Sequence, residues 1–201
     1  MRSAPGPTEK VTDRGLITNA IEQWRTVVEQ GLQSHLPVRL GWSEDIGAPY
    51  FTDQINWFGY TGVLLLAAHT EYPQFPMPQN ATDNWNIDPA YKKLRDEQFK
   101  GRFNQLFNVE LWLPIEFPFV FKTEYFTGQE VWCGSSITLL KQLELLNQET
   151  FKAQDSLLAQ WRLAGDGRES GFIETARFGL AVLIRLAKQA IEHNLPMRLD
   201  Y

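Results

Sequence analysis

Acidic and aromatic side chains are concentrated in one loop of sixteen residues, 42–57. Carboxylates and aromatic rings together can hold a sugar, an amine or a basic partner, because the rings give apolar contact area and the carboxylates give charge. The sequence fixes no second charged cluster, so we predict no pair of catalytic carboxylates at a defined separation. The other interpretation is a solvated loop whose tryptophans anchor it to the core. The candidate binding residues are Trp42, Glu44, Asp45, Tyr50, Asp53 and Trp57.

The single cysteine, Cys133, lies where a predicted strand meets a predicted helix, in the sequence Trp-Cys-Gly-Ser-Ser. Backbone N–H groups and the helix dipole at such a junction favour a thiolate. A nucleophilic cysteine also needs a base, and His69 is the first candidate. The alternative is that Cys133 is a small buried hydrophobic residue and that Ser135 or Ser136 only caps the helix.

Other signatures of catalysis or ligand binding are absent from the sequence. The three histidines and the cysteine are far apart, and neither His-Glu-x-x-His nor Cys-x-x-Cys occurs, so we predict no metal site. Glycine-rich phosphate-binding patterns and the Gly-x-Ser-x-Gly elbow are also missing, and we predict no cofactor. His35, His69 and His193 all follow or end predicted helices, where a partly charged imidazole is favourable.

The length and net charge of the chain limit the classes of protein to which it can belong. The chain has 201 residues, a net charge of −5 and a pI near 5.3. The acidic balance, without a cluster of basic residues, argues against nucleic-acid binding. No apolar run approaches the roughly 18 residues of a membrane span, so we expect no membrane association. A lone cysteine and the lack of a secretory signal predict a cytoplasmic protein. We expect residues 1–10 to be disordered and residues 11–201 to form one globular domain.

Apolar residues at helical spacing predict five or six helices. Asp88 followed by Pro89 is typical of a helix start, and Gly59 and Gly62 within the second helix indicate close approach by another backbone. The last helix is apolar almost all round, which is typical of a helix at the centre of a core. The predicted helical ranges are 12–34, 54–69, 88–107, 137–147, 155–163 and 171–193.

Apolar residues occupy every odd position from Val109 to Phe121, which predicts a half-buried strand. Pro114 and Pro118 cannot donate to a ladder, so this is either an edge strand or a strand broken at a proline. A turn at 127–129 would lead into a second strand, 130–133, giving an antiparallel hairpin. We therefore predict an α+β fold in which the helices pack around a small antiparallel sheet.

A short sequence echo suggests two further strands. Residues 36–42 read Leu-Pro-Val-Arg-Leu-Gly-Trp, and residues 195–201 read Leu-Pro-Met-Arg-Leu-Asp-Tyr. The echo indicates either a duplication or paired strands, or else a convenient helix exit used twice. In each case we predict short strands at 38–42 and 197–200.

Three functions agree with these patterns. The first is a non-enzymatic binding protein of the immunity or adaptor type, which would use the acidic and aromatic loop to hold a protein partner. The second is a small-molecule binder with an apolar aromatic pocket between the 109–121 strand and the irregular segment 73–88. The third is a small enzyme centred on Cys133. Seven Trp, 13 Phe and 6 Tyr are enough to supply both a core and a binding surface.

Overall fold

The computed structural model describes residues 7–33, 36, 41, 49–79, 84–125, 127–165 and 171–199. Within these ranges the chain forms six α-helices and a four-stranded sheet, which confirms the predicted single-domain α+β class. The helices are α1 Pro7–Gln33, α2 Trp57–Glu71, α3 Pro89–Asp96, α4 Ser136–Thr150, α5 Asp155–Ala164 and α6 Phe172–Glu192. The strands are β1 Leu111–Leu113, β2 Phe121–Glu124, β3 Glu130–Ser135 and β4 Met197–Arg198, and Trp85–Ile87 forms a 3-10 turn.

The sheet is mixed, which corrects the expectation of an antiparallel sheet. The strand order is β2-β3-β1-β4; β1 is parallel to β3, and the β1–β4 and β2–β3 pairs are antiparallel. The predicted long strand is broken after Leu113, where Pro114 and Pro118 remove ladder donors. The chain then crosses from one side of β3 to the other before it forms β2. The predicted hairpin therefore exists, but β2 is its first strand.

The crossing segment, residues 114–120, is held by side chains instead of by a ladder. Five backbone carbonyls in and beside it accept hydrogen bonds from side chains of α4, of its N-cap and of the turn before β1. The donor–acceptor pairs are Ser136 to Leu113 (3.0 Å), Ser135 to Ile115 (2.6 Å), Thr138 to Phe117 (2.7 Å), Asn104 to Pro118 (2.9 Å) and Gln105 to Phe119 (3.0 Å). Carbonyls that this segment does not pair within the sheet are thus satisfied by side chains.

Gln105 is the centre of this arrangement. Its side chain is fully buried, and its carboxamide oxygen accepts a hydrogen bond of 2.8 Å from the backbone N–H of Ser135. Its backbone carbonyl accepts a hydrogen bond of 2.9 Å from the indole of Trp112. A Cβ atom on Gly134 would overlap the carboxamide oxygen of Gln105, so a larger residue at that position of β3 would have to displace this buried side chain.

Most helix predictions are confirmed within a few residues, but α1 begins earlier than expected and α3 is much shorter. Helix α3 ends at Asp96 instead of near Phe107. Gln98 and Phe99 adopt left-handed backbone conformations with φ of 58° and 55°. The N–H of Phe99 then bonds to the carbonyl of Leu94 at 2.9 Å, which closes the helix end. Non-glycine residues rarely adopt this conformation, so the sequence gives little warning of the stop.

The main core lies where α6 meets α2, α4 and α5. Helices α2 and α6 cross so closely that a Cβ on Gly62 would lie 3.0 Å from the backbone nitrogen of Ala176, and a Cβ on Gly179 would overlap the carbonyl of Gly59. This confirms the predicted backbone approach at Gly59 and Gly62. A smaller second core lies on the other face of the sheet, where α1 covers the odd-numbered strand residues. Its buried members are Trp24, Val28, Leu32, Leu111, Leu113, Phe117, Phe121 and Cys133.

Two predictions fall partly on residues that are not described. In the expected disordered segment 1–10, residues 1–6 lie outside the described residues and residues 7–10 belong to α1. Of the echo, 38–40 and 42 also lie outside them, whereas Met197–Arg198 forms β4 as predicted. Among the described helices, none has the length and apolar character that a membrane span requires.

Candidate functional site

The predicted acidic and aromatic loop is only partly described, and its described members are separated. Trp42, Glu44 and Asp45 lie outside the described residues. The carboxylate of Asp53 lies 2.8 Å from the guanidinium of Arg185 and 3.6 Å from that of Arg162. Through these ion pairs Asp53 holds the loop against α5 and α6.

Tyr50 and Trp57 line different recesses. Tyr50 is 86% exposed and, with Asp53, borders a wide groove of about 1030 Å³ beside β4 and the end of α6. Phe51, which lies between Tyr50 and Asp53 in the sequence, stacks on the ring of His193, with the ring centroids 4.6 Å apart. Trp57 begins α2 and lines a second, smaller pocket. The structure therefore does not bring Trp57 together with Tyr50 and Asp53.

Cys133 is not an activated nucleophile. Its side chain has no exposed surface, and burial raises the pKa of the thiol, which opposes formation of a thiolate. Its Sγ lies 3.9 Å from the carbonyl oxygen of Gly134. The expected helix-capping role goes to Ser135, whose hydroxyl accepts a 3.0 Å hydrogen bond from the N–H of Thr138. Of the two interpretations of Cys133, these features favour the small buried hydrophobic residue, because its side chain lies in the second core.

His69 pairs with an aspartate instead of with Cys133. Its Nε2 lies 3.0 Å from the carboxylate of Asp88, and its Nδ1 lies 3.4 Å from the carbonyl oxygen of Phe75. The same aspartate caps α3 by accepting hydrogen bonds from the N–H groups of Ala90 and Tyr91. The pair thereby fixes the start of α3 and the adjoining 3-10 turn against α2.

Five aromatic side chains from four parts of the chain converge on one recess of about 260 Å³, which we call the aromatic pocket. They come from the start of α2, the 3-10 turn, α3 and β3. The pocket is lined by Trp57, Tyr60, Leu64, Trp85, Tyr91, Asn108, Glu110 and Trp132. It lies between Glu110, beside β1, and Trp85 in the irregular segment, where the small-molecule hypothesis placed a pocket.

The rings pack mainly edge to face. Trp85 lies between Trp57 and Tyr91, with ring centroids 5.8 Å and 4.6 Å away and interplanar angles of 75° in both pairs. Tyr60 and Tyr91 are buried, whereas Trp57 is 43% exposed. The hydroxyl of Tyr60 donates a 3.0 Å hydrogen bond to the carbonyl of Leu106. Edge-to-face contacts and this bond give the pocket fixed walls with an exposed indole at the rim.

Glu110 supplies the charge of the pocket. Its N–H donates to the carbonyl of Trp132 at 3.1 Å, and its carbonyl accepts from the N–H of Leu199 at 3.0 Å, so β3 and β4 hold its backbone on both sides. Its carboxylate forms no ion pair or hydrogen bond with any residue that the structure describes. The polar group that Glu110 can offer to a ligand is therefore its carboxylate.

Trp132 already contacts one cation of the chain. The ammonium of Lys122, its cross-strand neighbour, lies 5.5 Å from the centroid of the Trp132 ring. Lys122 also pairs with Glu130, so its charge is balanced outside the pocket. No lysine or arginine is among the described residues that line the pocket.

Sequence reasoning found part of this site. It selected Trp57 and the general location of the pocket, and it missed Tyr60, Trp85, Tyr91, Glu110 and Trp132. The available signal was a charged residue, Glu110, at an even position of the alternating segment, and an aromatic residue, Trp132, in the neighbouring predicted strand. The described residues contain no group of three or more metal-ligating side chains.

Comparison with known proteins adds no assignment, since no protein-family model, curated protein or solved structure matches the chain. Any functional conclusion for this chain must therefore come from its own pocket.

Proposed function

We propose that this protein binds a small molecule non-covalently in the aromatic pocket. The observation that carries the proposal is the convergence of Trp57, Trp85 and Trp132, from three distant elements, around one recess. Ligand pockets are typically concave, mainly apolar and supplied with a few polar groups. The aromatic pocket has this composition, with Glu110 and Asn108 as its polar members.

The distribution of burial supports a binding site over a packing defect. Tyr60 and Tyr91 retain only 4% and 5% of their surface, so the floor is continuous with the main core. Trp57 stays exposed at the rim, although a tryptophan is among the most costly side chains to leave in water. A ligand that covers this indole would remove that cost on binding.

The size of the recess restricts the ligand. Pockets for drug-sized molecules span roughly 300–1,000 Å³. At about 260 Å³, the aromatic pocket fits a smaller molecule or one end of a larger one. The ligand should therefore be a compact metabolite-sized group.

Two other expectations remain proposals of lower rank. Capture of a protein partner by the loop 42–57 stays a prediction, because half of its candidate residues lie outside the described ones. The cytoplasmic location also stays a prediction, and the buried free thiol of Cys133 is compatible with a reducing compartment.

A thermal-shift screen with matched variants tests the proposal. The screen would use small cationic, neutral and anionic compounds on the wild type, on Trp57→Ala and on Tyr50→Ala as an exposed aromatic control outside the pocket. A ligand at one hundred times its Kd should stabilise the native state by about 2.7 kcal/mol. We expect such a ligand to stabilise the wild type and Tyr50→Ala but not Trp57→Ala. Equal shifts in both variants, or no shift with any compound, would contradict the proposal.

A further inference from the structure

We infer that the group bound in the aromatic pocket is a small organic cation, specifically an ammonium carrying methyl or other short alkyl groups. The inference rests on the proposed function and adds the chemical class of the ligand. It is drawn from three features of the pocket: its three tryptophan rings, the carboxylate of Glu110, which has no partner among the described residues, and the absence of basic residues among the described residues that line it.

The ring composition favours a cation. Three of the five rings are tryptophans, whose faces attract ammonium groups most strongly. Alkyl groups on the nitrogen match the apolar walls, and they spread the charge over methyl groups that contact the rings. A cation–π contact already exists within the chain, because the Lys122 ammonium lies over the ring of Trp132.

The carboxylate of Glu110 selects against neutral and anionic ligands. Covering it with a neutral ligand would remove water from an ion without giving it a partner, which is costly. Covering it with an anion would add like-charge repulsion, and no described lysine or arginine lines the pocket to balance the charge. A cation satisfies the carboxylate and the rings at the same time.

The hydrogen-bonding groups of the pocket walls also favour an alkylated ammonium ligand. The Tyr60 hydroxyl is committed to the carbonyl of Leu106, and both backbone groups of Glu110 are committed to neighbouring strands. A phosphate would find no lysine or arginine among the described residues that line the pocket. A quaternary ammonium needs no directed partner, because its nitrogen carries no N–H group.

The test compares choline with 3,3-dimethylbutan-1-ol, which has the same shape with a carbon in place of the charged nitrogen. Binding would be measured by titration calorimetry and by quenching of tryptophan fluorescence. We expect choline to bind about tenfold more tightly than the neutral alcohol, the size of a partly desolvated cation–π and carboxylate contribution. Tetramethylammonium should compete with choline.

Variants then assign the effect to the pocket. Glu110→Gln should weaken choline binding about tenfold and leave the neutral alcohol unchanged, because only the charge is removed. Glu144→Gln, at an exposed position of α4 outside the pocket, should change neither. Unchanged thermal unfolding of both variants would show that they are folded.

Each failure has its own meaning. If the alcohol binds as well as choline, or if an anionic compound is the one that the pocket binds, the cation inference is overturned and the proposed small-molecule function stands. If no compound of any class binds in a Trp57-dependent way, both are overturned. If choline binds and Glu110→Gln has no effect, the assigned role of the carboxylate is overturned.

Discussion

The two ends of strand β1 are built on opposite principles. Beyond Leu113, five carbonyls in and beside the crossing segment receive side-chain hydrogen bonds, and the buried carboxamide of Gln105 is used at both its oxygen and its nitrogen. Before Leu111, the carboxylate of Glu110 has no partner among the described residues, and it lies beside a partly exposed cluster of rings. We call the end after Leu113, where the carbonyls are paired, the closed end of β1, and the end before Leu111, where the carboxylate of Glu110 has no described partner, the open end.

The difference separates polar groups that are paired within the fold from a carboxylate that has no partner among the described residues. Buried polar groups that stabilise a fold are paired, since an unpaired one costs about 1–3 kcal/mol. An unpaired carboxylate in an aromatic recess gives no such stabilisation in the free protein. Substitutions at the closed end should therefore reduce stability, and substitutions at the open end should reduce binding.

The largest expected effect is at the closed end, in Gly134→Ala. The added Cβ overlaps the Gln105 carboxamide and must displace it from Ser135 and Phe119. We expect a loss of about 2–4 kcal/mol in the free energy of unfolding, measured by urea denaturation. Gly15→Ala is the control, because, apart from the backbone of its own helix, nothing lies within 4 Å of the added Cβ at this exposed position of α1; it should gain about 0.5–1 kcal/mol. Equal free energies of unfolding for the two variants would contradict the conclusion that the closed end of β1 stabilises the fold.

Cys133, opposite Leu111 in the β1–β3 ladder, gives the next effect. Cys133→Ser places a hydroxyl in the second core and should cost about 1–3 kcal/mol in urea denaturation. Because burial raises the pKa of the native thiol, the stability that it contributes is full below the unfolded-state pKa of about 8.5 and falls as the pH rises above it. Iodoacetamide at pH 8 should label the urea-unfolded chain and not the native one; labelling of both at similar rates would contradict the burial.

Ser135→Ala should have a smaller effect at the closed end. It removes the N-cap of α4 and the hydrogen bond to the carbonyl of Ile115, and we expect a loss of about 1–2 kcal/mol by thermal and urea unfolding. Thr26→Ala is the matched control, since this hydroxyl bonds back within its own exposed helix to Glu22; its effect should stay within about 0.5 kcal/mol. Choline binding should be unaffected in both.

The smallest effect on stability is expected at the open end, in Glu110→Gln. The carboxylate has no partner to lose among the described residues, so the free energy of unfolding should change by no more than about 0.5 kcal/mol. Urea denaturation without ligand measures this. A loss of about 2 kcal/mol or more, which is the order of magnitude for losing a buried hydrogen-bond partner, would show that the Glu110 side chain stabilises the fold as the polar groups of the closed end do.

Local signals in the sequence predicted the elements better than their pairing. Asp88 followed by Pro89, and Ser135 before an apolar run, identified helix starts because a cap acts within one turn. The end of α3 was missed because Gln98 and Phe99 adopt left-handed conformations that their residue types do not favour. The parallel pairing of β1 with β3 was missed because the hydrogen bonds that the side chains of Ser135 and Gln105 donate to the carbonyls of Ile115 and Phe119 depend on tertiary packing.

The candidate site shows the same limit more strongly. Trp57 could be chosen from its type and position, but its neighbours could not, since Trp85 and Trp132 reach it through the folding of α2, the 3-10 turn and β3. Grouping by sequence distance joined Trp57 to Asp53, whose real partners are Arg162 and Arg185. The ion pairs that hold Asp53 away from the pocket of Trp57 are visible only in the fold.

The position of Glu110 between β3 and β4 has a consequence for the order of folding. β2 and β3 are joined by a tight turn, and β1 reaches β3 over a short crossing, so these contacts close small loops and form early. β4 reaches β1 only after helices α4, α5 and α6 have been traversed. We therefore expect the bond from Leu199 to Glu110 to form after the β2–β3 and β1–β3 pairs, so that the backbone of Glu110 is fixed on both sides only when β4, with the core residues Met197 and Leu199, has docked.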